Sequence, residues 1–369
     1  MIRVALIGLG KMGLSHHAII NPHPDVKLVA VCDSSGYVLD ILNKYVGIKC
    51  HTDYKKMLAE EQLDAVFIAT PSRFHGEMVR AALDMNLHVF CEKPFCLDLT
   101  DGQRLMELAE SKGLVNQVGY HYRFVATFQE MKRLVDANAI GRIHHIRAEA
   151  YGPVVLKPKG STWRTSRSEG GGCLYDYASH GIDLVNYIVG RPHSVGGTVL
   201  SKVFSRDVED EVYSTFYYPD GKTGQIAANW SDESYRKMST SVTIWGANGK
   251  ITADRQEVHI YLRDGSNEKL NLSKGWNTRY TTELTGEVWY YLRGEEYSAQ
   301  IDHFIQSIKS GCRDTRSTFR SALEADLVAA MMIQDAKNSH VDAAFPAGIG
   351  SAPAKKGKLW PSFARNLLD

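Results

Sequence analysis

The sequence predicts an α/β domain with a doubly wound parallel sheet, followed by a region of strands and hairpins. In the first 120 residues, short apolar runs alternate with longer amphipathic runs, a pattern typical of a parallel sheet with helices on both faces. From residue 196 onward, alternating runs flank turn sequences such as Pro219-Asp220-Gly221-Lys222, which indicates hairpins. A length of 369 residues is enough for two or three domains.

The first element is a buried strand that runs into a glycine-rich turn. Ile2 to Ile7 is short and apolar, and Gly8-Leu9-Gly10-Lys11-Met12-Gly13 follows it. In this pattern the first glycine makes a tight turn, the second lets the backbone approach a pyrophosphate, and the third lets helix and strand pack closely. The free N–H groups at the start of the next helix attract phosphate. The sequence therefore predicts a dinucleotide site formed by Gly8, Gly10, Lys11, Met12 and Gly13.

The second strand, Val26 to Cys32, ends at an acidic residue. Asp33 lies 20 residues beyond Gly13, where a carboxylate can accept hydrogen bonds from the ribose hydroxyls of adenosine. The alternative is that Asp33 only caps the next helix. Ser34 and Ser35 follow, and no nearby arginine is available for a 2′-phosphate. We therefore expect NAD rather than NADP as the cofactor, with Asp33 and Ser34 beside it.

Two later strands of the first domain end at candidate functional residues. The run from Leu63 to Ala69 precedes Thr70-Pro71, and the run from His88 to Cys91 precedes Glu92-Lys93-Pro94. Ligands of doubly wound sheets bind beyond the carboxyl ends of the strands, so these residues should share an edge with the glycine turn. A lysine restricted by a following proline can there stabilise charge that develops on an oxygen. The alternative is a solvated lysine in a loop.

A second candidate site follows three glycines in the middle of the chain. Asp176 and His180 come after Gly170-Gly171-Gly172, and their spacing of four places both on one face of a helix. A carboxylate beside an imidazole can hold a general base in one tautomer, whereas many such pairs are ordinary surface pairs. We expect the glycines to let the backbone pass close to a substrate or nicotinamide and to start the helix that aims His180.

The remaining elements complete the two regions. We predict three further elements of the first domain: helices from about Phe74 to Met85 and from Leu99 to Ser111, and a strand from Leu114 to Gly119. We predict strands of the second region at Ile143 to Ala150, Val212 to Tyr217, Gly224 to Trp230, Ser241 to Trp245 and Lys250 to Ala253, and helices at Ala126 to Ala137, Ala299 to Ser310 and Thr318 to Ala336. The segment 264–294 is polar and irregular and is interpreted as a substrate loop or an oligomer contact.

Composition narrows the classes of partner. The net charge of +1 gives no reason to expect nucleic acid or an anionic membrane as partner. The chain enters a strand-like run at Met1 without a signal-peptide layout, and its six cysteines include no Cys-x-x-Cys pair, which favours reduced thiols. His144 and His145 would point to opposite faces of a strand, and His16 and His17 are a poor pair on a helix. We therefore expect a cytoplasmic protein without a metal site.

Together the motifs resemble those of the glucose-fructose oxidoreductase, inositol dehydrogenase and rhizopine-catabolism (Gfo/Idh/MocA) oxidoreductases. The matching marks are Gly8 to Gly13, Ala69-Thr70-Pro71 with His75, Glu92-Lys93-Pro94, and Gly170 to His180 with Asp183. The resemblance implies a Rossmann domain at 1–122, an α+β substrate-binding domain with a large, mainly antiparallel open sheet at 123–345, and a tail or arm at 346–369. It also implies a homodimer or homotetramer formed through the second sheet.

The resemblance implies roles for individual residues. Three would be catalytic: Lys93, Asp176 and His180. Besides the glycine turn, Asp33 and Ser34, the residues near the cofactor would be Thr70, Pro71, His75, Glu92, Lys93, Trp163, Arg164 and Tyr297. Residues near the substrate would be Lys93, His121, Tyr122, Arg123, Trp163, Asp176, His180 and Asp183. For the crossing at residues 121–123, a packed aromatic linker is the alternative, and Asp183 would otherwise only cap or pair locally.

The expected activity is hydride transfer between nicotinamide and a secondary alcohol or ketone of a cyclic polyol or sugar. His180 would be the general base, Asp176 would fix its tautomer, and Lys93 would hydrogen-bond the reacting oxygen. One alternative is a dehydrogenase or reductase of nucleotide-linked sugars, in which basic residues bind the diphosphate: Arg164, Arg167, Lys157 and Lys159. Another is a non-catalytic NAD-sensing regulator, which should have lost the catalytic side chains.

Overall fold

The computed structural model describes residues 1–156, 163–265 and 267–338. The predicted tail at 346–369, and Lys157 and Lys159 of the nucleotide-sugar hypothesis, lie outside the described residues. Among the residues that are described, no helix is both long and apolar enough to cross a bilayer.

The N-terminal part forms a six-stranded sheet in which every neighbouring pair is parallel. The strands, in the spatial order β3-β2-β1-β4-β5-β6, are β1 Ile2–Ile7, β2 Val26–Cys32, β3 Lys49–His51, β4 Ala65–Ile68, β5 His88–Cys91 and β6 Asn116–Val118. The helices between them are α1 Lys11–Ile20, α2 Gly36–Val46, α3 Tyr54–Glu60, α4 His75–Asp84 and α5 Leu99–Ser111. The strand order reverses between β1 and β4, which opens a crevice at their carboxyl ends.

This sheet is buried on both faces, which explains its continuous apolar strands. In β1, Val4 and Leu6 pack into one core cluster, whereas Ala5 and Ile7 pack into the other. The cluster of Val4 and Leu6 also includes Ile301 and Phe304 from helix α9 (Glu295–Ser310). A helix from late in the chain therefore covers one face of the first sheet.

The second sheet has eight strands and is antiparallel except where β7 pairs with β10. Its spatial order is β14-β13-β12-β11-β7-β10-β9-β8, with β7 Ile143–Tyr151, β8 Ser194–Ser201, β9 Glu211–Tyr217, β10 Thr223–Asn229, β11 Ser239–Gly246, β12 Gly249–Ala253, β13 Glu257–Leu262 and β14 Gly275–Tyr280. The remaining helices are α6 Ala126–Asp136, α7 Ser179–Val189, α8 Thr281–Leu284 and α10 Phe319–Asn338. The predicted fold class is confirmed.

Side chains of the second sheet alternate between a covered and an open face. Ile146, Ala148 and Ala150 of β7 are buried beneath helix α7, whereas the residues between them are partly exposed. This period of two is what a half-covered sheet requires. The segment 264–294, predicted to be irregular, contains the edge strand β14, whose exposed aromatic and polar residues gave no strong strand signal.

Candidate active site

The predicted cofactor half of the site is the turn between β1 and α1. A Cβ on Gly13 would lie 1.8 Å from the carbonyl oxygen of Gly8, so only glycine allows this close packing of helix and strand. At Gly10, by contrast, a Cβ would meet no heavy atom within 4 Å. Gly10 precedes α1, whose N-terminus has no side-chain cap. The turn therefore presents open backbone and uncapped N–H groups, which fit a pyrophosphate.

Asp33 supports the same turn from the end of β2. Its carboxylate accepts the Leu9 N–H at 2.5 Å and the Ser35 N–H at 2.8 Å. Ser35, and not Asp33, is the N-cap of α2. The side chain is partly exposed at the strand end, and Ser34 beside it is exposed. A carboxylate in this place fits the ribose of a dinucleotide, so the donors and acceptors present suit NAD.

His75 lies between the loops that follow β4 and β5 and contacts both of them. Its Nδ1 lies 2.8 Å from the Pro94 carbonyl oxygen and its Nε2 lies 3.0 Å from that of Thr70. The ring is fully buried, and burial lowers the pKa of His75 even though both carbonyls oppose the shift. His75 therefore connects the loops after β4 and β5, and its position near the cofactor stays a prediction.

Glu92 forms a buried pair with a histidine of α1. Its Oε1 lies 2.6 Å from His16 Nε2, and its Oε2 accepts the Lys93 N–H at 3.3 Å. Burial acts to raise the pKa of Glu92, but His16 and Lys93 outweigh it and hold that pKa below its usual range. Sequence reasoning missed His16, because a histidine within a helix gives no sign of a partner 76 residues away.

Lys93 reaches from the end of β5 to the second domain. Its Nζ donates to the carbonyl oxygens of Asp176 at 2.9 Å and Tyr175 at 3.3 Å, and lies 3.5 Å from Asp176 Oδ1. These acceptors belong to a π-helical turn, Leu174–Ala178, that runs directly into α7. Burial lowers the pKa of Lys93, although the Asp176 and Glu92 carboxylates oppose the shift. The structure thus brings together two predicted catalytic residues, Lys93 and Asp176.

Asp176 and His180 do not pair as predicted. The Asp176 carboxylate is bound by Lys93 on one side and by Arg164 Nε, at 2.8 Å, on the other. His180 Nδ1 is buried without a hydrogen-bond partner. The expected hydrogen bond is therefore wrong, because two cations occupy the carboxylate and the turn holding Asp176 is π-helical. Burial, and then the charge of Lys93, hold the pKa of His180 well below its ordinary value.

Aromatic side chains pack against the His180 ring. The His121 ring lies 4.9 Å from that of His180 and stacks on Tyr297 at 4.6 Å, with Tyr297 Oη 3.4 Å from His121 Nε2. Tyr122 packs 5.1 Å from His180. Burial, and then the charge of Arg255, hold the pKa of His121 well below its ordinary value. Contacts of these residues with substrate or cofactor stay predictions.

Arg123 and Asp183 form a buried ion pair. Arg123 Nε and Nη2 donate to the Asp183 carboxylate at 2.6 to 3.1 Å, and Nη1 donates to the Arg316 carbonyl at 2.8 Å. Arg123 is 4% exposed and Asp183 is 0% exposed. This is the local pairing that was the alternative for Asp183, and contact of either residue with substrate stays a prediction.

Two of the three glycines make room for close packing within the protein. A Cβ on Gly171 would lie 2.4 Å from the Arg164 carbonyl oxygen, and one on Gly172 would lie 2.1 Å from Glu209 Oε1. Glu209 is 2% exposed and accepts the Leu174 N–H at 3.1 Å, so it caps the π-helical turn. Sequence reasoning missed Glu209, because it lies in an acidic loop without periodicity.

Trp163 and Arg164 stand beside the catalytic candidates. The Arg164 guanidinium lies over the Trp163 ring at 4.9 Å and bonds Asp176. Among the described residues, one group could hold a metal ion by its ligand types: His51 at the end of β3, Glu60 at the end of α3, and Glu61 directly after it. Lys49 already binds Glu61 there at 2.5 Å.

Comparison with known proteins identifies the family. Residues 2–120 match the model described as oxidoreductase family, NAD-binding Rossmann fold, and residues 128–252 match the GFO/IDH/MocA C-terminal domain. The chain is 26% identical to the myo-inositol 2-dehydrogenase of Thermotoga maritima over 322 residues, which cover 84% of this chain and 89% of that protein. It is also 26% identical to the scyllo-inositol 2-dehydrogenase (NAD(+)) of Bacillus subtilis over 320 residues, 84% of this chain and 87% of that one.

A solved structure shows the same fold along nearly the whole chain. The levoglucosan dehydrogenase complex with NADH and L-sorbose aligns with a TM-score of 0.81 and 22% identity, covering 92% of this chain and 97% of that one. Both family models, in their expected order, fall on the two sheets described above. The chain therefore belongs to the Gfo/Idh/MocA family and is an oxidoreductase with an NAD-binding Rossmann domain.

Proposed function

We propose that the protein is an NAD-dependent dehydrogenase that acts on one secondary alcohol of a cyclic polyol or sugar. The observation that carries this proposal is the meeting of Lys93, from the end of β5, with Asp176 and the α7 segment bearing His180. The inositol dehydrogenases among the relatives, and the bound L-sorbose of the structural neighbour, support this class of substrate.

The roles of the side chains follow from their protonation and position. When bound, NAD supplies the nicotinamide carbon that accepts the hydride. His180 is neutral at ordinary pH because burial lowers its pKa, so its ring can accept the hydroxyl proton. Lys93 donates to the same oxygen as it becomes a carbonyl, and Asp176 holds the ammonium in place. In the reverse direction the same groups would protonate a ketone oxygen.

NAD is proposed over NADP because of the residues at the end of β2. Asp33 would accept hydrogen bonds from the ribose hydroxyls and would repel a 2′-phosphate. The uncapped N-terminus of α1 would hold the pyrophosphate of either cofactor, so the preference depends on Asp33.

A substrate panel tests this function. Inositols, aldoses and uronic acids are offered with NAD or NADP, and reduced cofactor is followed by absorbance. We expect turnover of at least one polyol or sugar and a kcat/KM higher with NAD than with NADP. If the protein binds NADH but turns over none of these compounds, the result would favour the NAD-sensing regulator instead.

The nucleotide-sugar alternative is less well supported by the geometry. Arg164 already binds Asp176, and Arg167 Nη2 binds Glu209 at 2.9 Å. Two of the cations proposed for a diphosphate are thus neutralised within the protein. The same panel, extended with a nucleoside diphosphate sugar, separates the two hypotheses by the substrate with the higher kcat/KM.

We also propose that a Rossmann domain of residues 1–122 and a substrate domain of residues 123–345 form the site jointly, in a homodimer or homotetramer. The open face of the second sheet carries exposed aromatic residues that support such an interface: Tyr213, Tyr217, Tyr261 and Trp276. Apolar patches of this kind commonly mark protein contacts. Light scattering should give a molar mass of two or four chains, and a monomeric mass would contradict the proposal.

A further inference from the structure

One carboxylate in the site is shared by two cations. Arg164 Nε binds Asp176 Oδ2 at 2.8 Å, whereas Lys93 Nζ lies 3.5 Å from Asp176 Oδ1. The carboxylate is buried, with 7% of its side chain exposed. The closer of its two ion pairs is therefore with Arg164, a residue that the family resemblance assigned to the cofactor.

The backbone around Arg164 fixes its position. The Arg164 carbonyl accepts the Gly172 N–H at 3.0 Å, and the Gly171 backbone packs against the Trp163 and Arg164 carbonyls so closely that a Cβ would not fit. The guanidinium also rests on the Trp163 ring. Because Gly172 lies just before the π-helical turn that carries Asp176, Arg164 and Asp176 are held together by one continuous local structure.

This arrangement determines how Lys93 is held. A carboxylate with a single cationic partner in a buried site would close on that partner at the usual ion-pair distance. With Oδ2 occupied by Arg164, Asp176 keeps Lys93 at a longer distance, and two carbonyl oxygens provide its remaining acceptors. We propose that Arg164 is a positioning residue that restrains Asp176 so that the Lys93 ammonium stays available to the substrate oxygen.

The proposal rests on the proposed function, in which Lys93 donates to the reacting oxygen. It adds that the positive charge of Arg164 acts electrostatically on the Lys93 ammonium. Among the described residues, the charged or titratable groups that act on Lys93 include Asp176, Glu92, Arg164, His121 and His180. Burial lowers the pKa of Lys93, and Arg164 acts in the same direction whereas the two carboxylates oppose it. Removal of Arg164 should therefore raise the pKa of Lys93.

Arg164→Met, Arg164→Lys and the control Arg73→Met test the proposal. The Arg73 side chain is 52% exposed and pairs with Glu169, so its substitution should leave activity unchanged. For Arg164→Met we expect kcat to fall about 10- to 100-fold through misplacement of Lys93. The alkaline limb of its kcat/KM profile should move to higher pH, and KM for NAD should stay close to that of the wild type. Arg164→Lys, which keeps the charge, should return the limb toward its wild-type position.

Two outcomes would overturn the proposal. A large increase in KM for NAD with an unchanged kcat and alkaline limb would assign Arg164 to cofactor binding. The second outcome comes from trace acetylation of Lys93, measured by mass spectrometry at a series of pH values. This labelling reports the pKa of Lys93 without any turnover, so the experiment can be done even if no substrate of the panel reacts. An identical labelling curve for wild type and Arg164→Met would refute the proposal, whereas absent turnover with a shifted curve would fault only the proposed function.

Discussion

Replacement of Lys93 by alanine should leave NADH binding nearly intact and reduce kcat by about 10²- to 10⁴-fold. Lys93 Nζ points to the π-helical turn and the Asp176 carboxylate, whereas the dinucleotide would lie along the glycine turn and Asp33. In the proposed mechanism the ammonium therefore acts where charge develops on the substrate oxygen, and not on the dinucleotide. NADH binding is measured by fluorescence titration, and turnover is measured by absorbance on the best substrate of the panel.

Lys112→Ala provides the matched control. Lys112 Nζ also donates to a main-chain carbonyl, that of Leu83 at 2.8 Å, and to Asn86 Oδ1 at 3.0 Å, but it lies just beyond α5 and outside the site. Its loss should leave kcat unchanged. Turnover of Lys93→Ala near the wild-type rate would remove Lys93 from the mechanism. An equal loss of turnover in Lys112→Ala would mean that the effect is not specific to the site of Lys93.

The cofactor half of the site could be predicted because its signals are local. The spacing of Gly8, Gly10 and Gly13, and the position of Asp33 at a strand end, depend on fewer than forty consecutive residues. The predicted bounds of β2 and α5 coincide with the observed Val26–Cys32 and Leu99–Ser111. Strong apolar periodicity between turn residues determines both elements.

The substrate half was predicted less well because its partners are distant in sequence. The i, i+4 spacing of Asp176 and His180 suggested a pair, but the contacts of Asp176 with Lys93 join residues 83 positions apart. A π-helical turn leaves no mark in apolar periodicity, and sequence cannot show which of several cations reaches a carboxylate. The same limit applies to Arg123 and Asp183, two charged residues near site motifs that pair across 60 positions.

Replacement of Arg123 by methionine should lower the free energy of unfolding by about 3–5 kcal/mol. The Asp183 carboxylate is fully buried and receives three hydrogen bonds from Arg123, so the single substitution leaves an uncompensated charge in the interior. Asp183→Leu should lower the free energy of unfolding by a similar amount, because it leaves the Arg123 guanidinium buried without its carboxylate partner. The midpoint of the urea-induced transition, followed by tryptophan fluorescence, measures both effects.

The double substitution Arg123→Met with Asp183→Leu separates a structural pair from a substrate site. Removal of both charges together leaves no stranded ion, so most of the lost stability should return. KM for the substrate should then also stay near the wild-type value, because the proposed mechanism places Lys93 and His180, and not this pair, at the substrate. A double variant that is stable but has a strongly raised KM would support the substrate contacts of Arg123 and Asp183 that the family resemblance implied.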